Sequence, residues 1–177
     1  VLVVIVIIAV LLIGNYNGML TANENVESKY SDLDVMLQRR ADLVPNLVNT
    51  VKGYMEHETE IIDKVTEART KLANAGSVED KANANEELST ALNSLMLVVE
   101  NYPDLKSSEN FIQLSDELAG TENRIAVARK NYNDAVKSYN LKIKKFPGNL
   151  VAGMFGFENK GYFEADKSSQ EVPSVDF

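Results

Sequence analysis

The sequence has no cysteine and a single histidine, His57, in 177 residues. Without cysteine there is no disulfide framework, no thiol nucleophile and no thiolate zinc site. With one histidine, a nucleophile–histidine dyad is starved of parts, and carboxylate–histidine bundle sites, which take Glu-x-x-His from two helices, lack their second ligand. No Gly-rich phosphate loop precedes a helix. Basic residues are a minority as well: 18 Lys+Arg against 26 Asp+Glu give a net charge of −8, which argues against a nucleic-acid partner because a phosphate backbone needs a basic footprint. The expectation is therefore no catalytic residues, no metal and no cofactor. The lack of cysteine fits either side of a membrane.

What is present is unevenly spread. Residues 77–123 carry ten acidic residues against two lysines, whereas residues 124–145 carry seven basic residues opposed by Asp134 alone. The first thirteen residues, VLVVIVIIAVLLI, have no charge, proline or glycine. Thirteen apolar residues fall short of the about 20 that span a bilayer and match a core helix or a signal-peptide core in length. No small-residue cleavage site follows, however; the run passes through Gly14, Asn15, Tyr16 and Asn17 into helix-forming sequence. Residues 1–15 are thus expected to be the C-terminal part of a transmembrane helix in contact with the lipid bilayer, its start lying before Val1, with Tyr16 as an interfacial aromatic. The absence of Lys and Arg from Gly14 to Ser28 favours a translocated bundle, an external N-terminus implies the reverse, and the side stays open.

Beyond the anchor the apolar residues follow helical periods. Val26, Tyr30, Leu33 and Leu37 alternate steps of four and three, predicting a first helix to about Ala41. Asp42 as a cap and Pro45 in a first turn predict a second helix bearing Leu47, Val51, Tyr54, Glu58, Ile61, Val65, Ala68 and Leu72. Ser77 with Asp80 three residues on approximates a capping box for a third helix with Leu88, Leu92, Leu95 and Val99. The fourth has the most regular seam: Phe111, Leu118, Ile125, Tyr132 and Tyr139 are seven apart, with Leu114, Ala128 and Ala135 beside them. The expected fold is all-α: an up-and-down four-helix bundle over residues 16–148 with long antiparallel helices, continuing the anchor of residues 1–15. An irregular Gly- and aromatic-rich tail follows over residues 149–177. Four helices return the chain to the membrane, so Lys142, Lys144, Lys145 and the uncharged stretch 149–157 fall there. That stretch either inserts shallowly or straps the end of the bundle.

These segments resemble a known family. LQRRADLVPNLVNTVKGYMEHE (37–58), EART (67–70), YPDLKSSENFIQL (102–114), GTENRIAVARKNYNDAV (120–136), YNLKIKKFPGN (139–149), YFE (162–164) and the closing VDF (175–177) are similar to the LemA family. The resemblance implies an N-terminal transmembrane helix, a helical bundle and assistance to other membrane components, and it implies no particular catalytic activity.

Several polar residues interrupt the apolar stripes. Glu58 stands where the second helix calls for a hydrophobe, and Arg40 continues the stripe of the first; folding back at the turns keeps these two apart. Glu122, Arg124, Arg129, Asn133 and Asn140 mark the fourth helix. They are read as inward groups that fix helix register, with solvated faces or a binding or catalytic site as the alternatives. The tyrosine–asparagine pairs at 132 and 139 are read as heptad tyrosines whose asparagines bond across helices. The leading functional expectation is a membrane-anchored noncatalytic scaffold or adaptor with membrane protein partners. Its rivals are a self-assembling structural protein, forming homo-oligomers or filaments, and an enzyme using Glu58 or Glu122.

Overall fold

A computed structural model of the chain describes residues 1–55 and 57–165. The closing VDF motif lies outside the described residues. Among them six helices and no strand occur: α1 (Leu2–Lys52), α2 (Thr59–Asn74), α3 (Val78–Val99), α4 (Pro103–Lys106), α5 (Glu109–Lys144) and α6 (Gly148–Phe155). The fold is an all-α helical bundle. Two compact units divide the described residues: residues 1–33 with 127–162, and residues 34–126 with 163–165. α1 and α5 each contribute a stretch to both.

α1 does not break at Ala41. It runs unbroken through Asp42 and Pro45 to Lys52, so the expected boundary between a first and a second helix is displaced by about a dozen residues. The buried stripe explains the continuity, because Leu33, Leu37, Ala41, Val44, Leu47, Val48 and Val51 keep the three–four spacing across the supposed break. Pro45 removes one helical donor, the N–H that would serve the Ala41 carbonyl. Arg69 of α2 replaces it, its Nε donating to the Ala41 oxygen at 3.1 Å. The reversal comes later, where the amides of Tyr54 and Met55 both donate to the Val51 carbonyl at 3.0 Å.

The unit built from residues 34–126 and 163–165 holds α2, α3 and α4 together with parts of α1 and α5. α2 buries Ile62, Val65, Ala68 and Leu72. Val65, Ala68 and Leu72 are buried as the expected stripe placed them; at its start Ile62, and not Ile61, takes the buried position, because the helix begins only at Thr59. α2 and α3 pack on one another. Ser77 caps α3 as expected: its hydroxyl oxygen accepts from the Asp80 amide at 3.0 Å and donates to the Asp80 carboxylate at 2.6 Å. Leu88, Leu92, Leu95 and Val99 are buried.

In the other unit, the N-terminal half of α1 pairs with the C-terminal end of α5 and with α6. The seam residues Tyr132 and Tyr139 are buried, as are Phe111, Leu118 and Ile125 further up the same helix. α5 ends in a tight turn with a cis Phe146–Pro147 bond, and the chain re-enters a helix at Gly148. The tail is therefore not irregular from its start. Two turns of helix are too short to show a period in Gly-rich sequence, yet Val151 and Ala152 are buried while Leu150 and Met154 are exposed. Gly148 is required by contact: a Cβ there would collide with the Lys142 carbonyl oxygen and come within 2.8 Å of Met19 Cε. Gly156, at φ 73°, closes α6 in the left-handed conformation, and the Phe157 amide returns to the Ala152 carbonyl at 3.0 Å.

Candidate functional site

The stripe polar residues separate into distinct environments. Arg40 is 4% exposed and sits at the centre of a polar cluster: one guanidinium nitrogen donates to Asn85 Oδ1 at 2.6 Å and lies 2.7 Å from Glu122 Oε2, and the other donates to Ser89 Oγ at 3.0 Å. Asn85 is itself buried, whereas Glu122 is about half exposed at 48%. Burial pulls the Arg40 guanidinium below its usual range, opposed by Glu122 and then Glu86. α1 supplies the cation, α3 the neutral acceptors and α5 the carboxylate, so one side chain ties three helices in register. Its separation from Glu58 agrees with the sequence reading. Asn85 and Ser89 were not legible as its partners, since both sit in an ordinary polar stretch of α3.

Glu58 is not on a helix stripe. It occupies the turn before α2, half-buried, and accepts a hydrogen bond from the Tyr102 hydroxyl at 3.2 Å. Burial, and after it this carboxylate, raises the Tyr102 hydroxyl above its ordinary value. A long hydrogen bond at a half-exposed position is worth little, so Glu58→Ala is expected to cost about 0.5–1.5 kcal/mol, measured by urea unfolding. Tyr102→Phe should remove most of the same increment, giving a double-mutant cycle with coupling of comparable size. His57, Arg124 and Arg129 are exposed, which places the two arginines among the solvated faces. Among the described residues no group of three or more His, Asp and Glu side chains is clustered as metal ligands would be.

Asn140 behaves differently from the expectation of an asparagine bond across helices, and the Tyr132 hydroxyl also turns to the chain beyond α6. The Tyr132 hydroxyl donates to the Gly161 carbonyl at 2.8 Å. The Asn140 side chain brackets the Lys160 peptide, donating to its carbonyl and accepting from its amide, both at 2.9 Å. Lys160 Nζ reaches Glu27 Oε1 of α1 at 2.5 Å. Residues 156–161 are thus latched onto α5 and α1 as a strap.

Burial, then the neighbouring Tyr30 and Glu27, pushes the Tyr132 hydroxyl up from 10.0 to about 12. A raised folded-state pKa favours the neutral phenol in the fold, so this increment of stability is full below the unfolded value near 10 and is lost as pH rises towards 12. Urea unfolding followed from pH 8 to 12 should show that alkaline loss in the unaltered protein and a shallower one in Tyr132→Phe. Below pH 9 the same substitution should cost about 1 kcal/mol for the bereft Gly161 carbonyl.

The N-terminal end of α1 is the other distinctive surface. Val1–Ile7, Val10, Leu11 and Ile13 are exposed, and α1 is the one described helix long and apolar enough to cross a membrane.

Residues 29–177 match the family model described as LemA family. The chain belongs to the LemA family. Relatives of this LemA-family chain include "Magnetosome protein MamQ 1" and "Magnetosome protein MamQ 2" of Paramagnetospirillum magneticum. Each is 31% identical over an alignment 201 positions long that covers 99% of this chain and 73% of theirs. "Protein LemA" of Metamycoplasma hominis is 29% identical over 167 residues, covering 93% of this chain and 74% of its own. The LemA match begins at Lys29, after the apolar segment, whereas the MamQ alignments take in nearly the whole chain. Arg40, Asn85 and Glu122, like the latch residues Tyr132, Asn140 and Gly161, all fall inside the matched LemA region.

Proposed function

We propose that this LemA-family protein is a single-pass, noncatalytic membrane scaffold. Residues 1–15 act as the anchor, residues 16–148 form the bundle, and the bundle is presented to membrane protein partners. The observation that carries this reading is the continuity of α1: one helix is exposed and apolar at its start and forms bundle core further along. An apolar helical end left in water is unfavourable at about 25 cal/mol per Å2, whereas in a bilayer its backbone is already satisfied. A structural role for the buried Arg40, Asn85 and Asn140 is supported by their partners, since each bonds to a neighbouring helix or to the strap.

The full chain in native membranes should resist alkaline carbonate extraction, and Ile5→Arg with Val6→Arg should shift it to the soluble fraction. Release of the unaltered chain would sink the anchor. Photo-crosslinkers at the exposed apolar positions Leu97 and Ile112 are expected to give discrete adducts with other membrane proteins. Adducts between copies alone would replace the scaffold with self-assembly. A turnover abolished by Glu58→Gln or Glu122→Gln in a fully folded chain would replace it with an enzyme.

A further inference from the structure

The strap explains Gly156 to Gly161 but not α6 itself. Leu150 and Met154 lie four apart on one face of α6, Phe146 stands four residues before Leu150 in the preceding turn, and Phe155 borders the docked face at the helix end. Their exposures are 80% for Phe146, 55% for Leu150, 68% for Met154 and 56% for Phe155, high for side chains of this size. The opposite face is settled: Val151, Ala152 and Gly148 are buried, the last against Met19 of α1. One face of α6 is docked and the other is bare.

Three observations identify what covers the bare face. The first is position. The Phe155 ring lies 4.9 Å from that of Tyr16 and the Phe157 ring 5.7 Å, while Lys142 Nζ donates to the Gly18 carbonyl at 3.1 Å. α6 is therefore docked beside residues 16–19, immediately after the exposed Val10, Leu11 and Ile13. The second is charge. From Lys142 to Phe157 there are three lysines and no acidic residue, in a chain whose net charge is −8. The ammonium groups of Lys144 and Lys145 have no hydrogen-bond or ion-pair partner among the described residues. The third is space: a cleft of about 320 Å3 opens between Gly14 and Gly18 on α1, Lys142 on α5 and Lys145 just beyond its end.

We propose that α6 is an interfacial membrane helix. Phe146, Leu150, Met154 and Phe155 enter the acyl region beside the anchor, and Lys142, Lys144 and Lys145 meet the phosphates of anionic lipids, one headgroup seated in the cleft. Apolar side chains continuous with a membrane-spanning segment and flanked by lysines make the amphipathic pattern that lies in a bilayer interface. Two contact points, the anchor and α6, then fix the tilt of the first unit on the membrane as a single helix cannot. The proposal rests on the anchor reading above.

The test uses the natural absence of cysteine, which makes any introduced thiol a unique labelling site. Met154→Cys, Ile5→Cys and, as an aqueous reference, Glu67→Cys are each labelled with an environment-sensitive fluorophore. The full chains are then reconstituted in phosphatidylcholine vesicles with and without phosphatidylglycerol. Spin labels placed shallow or deep in the bilayer serve as quenchers. The expected result is several-fold stronger quenching at position 154 than at 67, greatest with the shallow label, and deep quenching at position 5. Lys144→Glu with Lys145→Glu should weaken the signal at 154 in the anionic vesicles and leave it nearly unchanged in neutral ones. Quenching at 5 with none at 154 overturns the interfacial helix and leaves the anchor standing; quenching at neither overturns both. Disulfide dimers through Cys at 154 without lipid quenching would assign the face to a second copy and also overturn the proposal. Charge reversal without effect in anionic vesicles overturns the headgroup contact.

Discussion

Arg40→Ala is expected to destabilise the bundle by about 2–4 kcal/mol, the largest loss of any single polar substitution in the chain. Three partners lose their donor at once, and one of them, Asn85, is buried. The deleted side chain also leaves a void where α1, α3 and α5 meet. Glu122→Gln should cost far less, about 1 kcal/mol or below, because that carboxylate is half exposed and its pairing is screened. The decisive variant is Arg40→Met combined with Asn85→Leu, which replaces the buried polar pair with apolar groups of similar bulk. If the cluster specifies register rather than supplying net stability, this double substitution should recover most of the loss of Arg40→Ala in urea unfolding. A double variant as unstable as Arg40→Ala would show that the ionic cluster itself holds the fold. Equal losses for Glu122→Gln and Arg40→Ala would contradict the assignment of the buried cost to Arg40.

Pro45→Ala should raise stability by about 1–3 kcal/mol. A helix-interior proline is disfavoured by about 3 kcal/mol relative to alanine, and only part of that is offset here. Pro45 is exposed, so its removal sacrifices no packing. The offset comes from Arg69, whose Nε donates to the Ala41 carbonyl that Pro45 leaves unserved. Arg69→Ala is accordingly expected to cost about 1–2 kcal/mol in the natural background and clearly less alongside Pro45→Ala, where the new backbone N–H reaches the same oxygen. Thermal unfolding of the two single variants and the double variant measures that coupling. Strict additivity would mean that Arg69 does not serve the proline-freed carbonyl.

Much of the architecture was legible because it depends on periods that survive any detail of packing. The α5 seam from Phe111 to Tyr139, the α3 stripe from Leu88 to Val99 and the Ser77 cap all appear where the spacing placed them. The boundary at Ala41 did not, for a reason local rules do not contain. Asp42 and Pro45 are good start signals, yet the stripe through Val44, Leu47, Val48 and Val51 continues to be buried, and a side chain 24 residues past Pro45 repairs the missing donor. Glu58 was misplaced with it, since its apparent place on a helical stripe was inherited from the wrong turn. Polar partners were the least visible: nothing in the sequence joins Arg40 to Asn85, or Asn140 to Lys160, because hydrogen-bond partners carry no periodicity.

By itself the sequence determined the all-α class, the apolar N-terminal end, the heptad seam and the family. Each follows from composition or from regular spacing along a single chain, which are properties of the covalent order. Only the tertiary structure decided where α1 ends, which polar residues meet, and that the tail divides into a docked helix with one bare face and a strap held by Tyr132 and Asn140. Those outcomes depend on what lies opposite each side chain. A carbonyl freed by proline, a glycine pressed against Met19 or an asparagine bracketing a distant peptide is specified by residues far away in sequence, and such pairings exist only once the helices have packed.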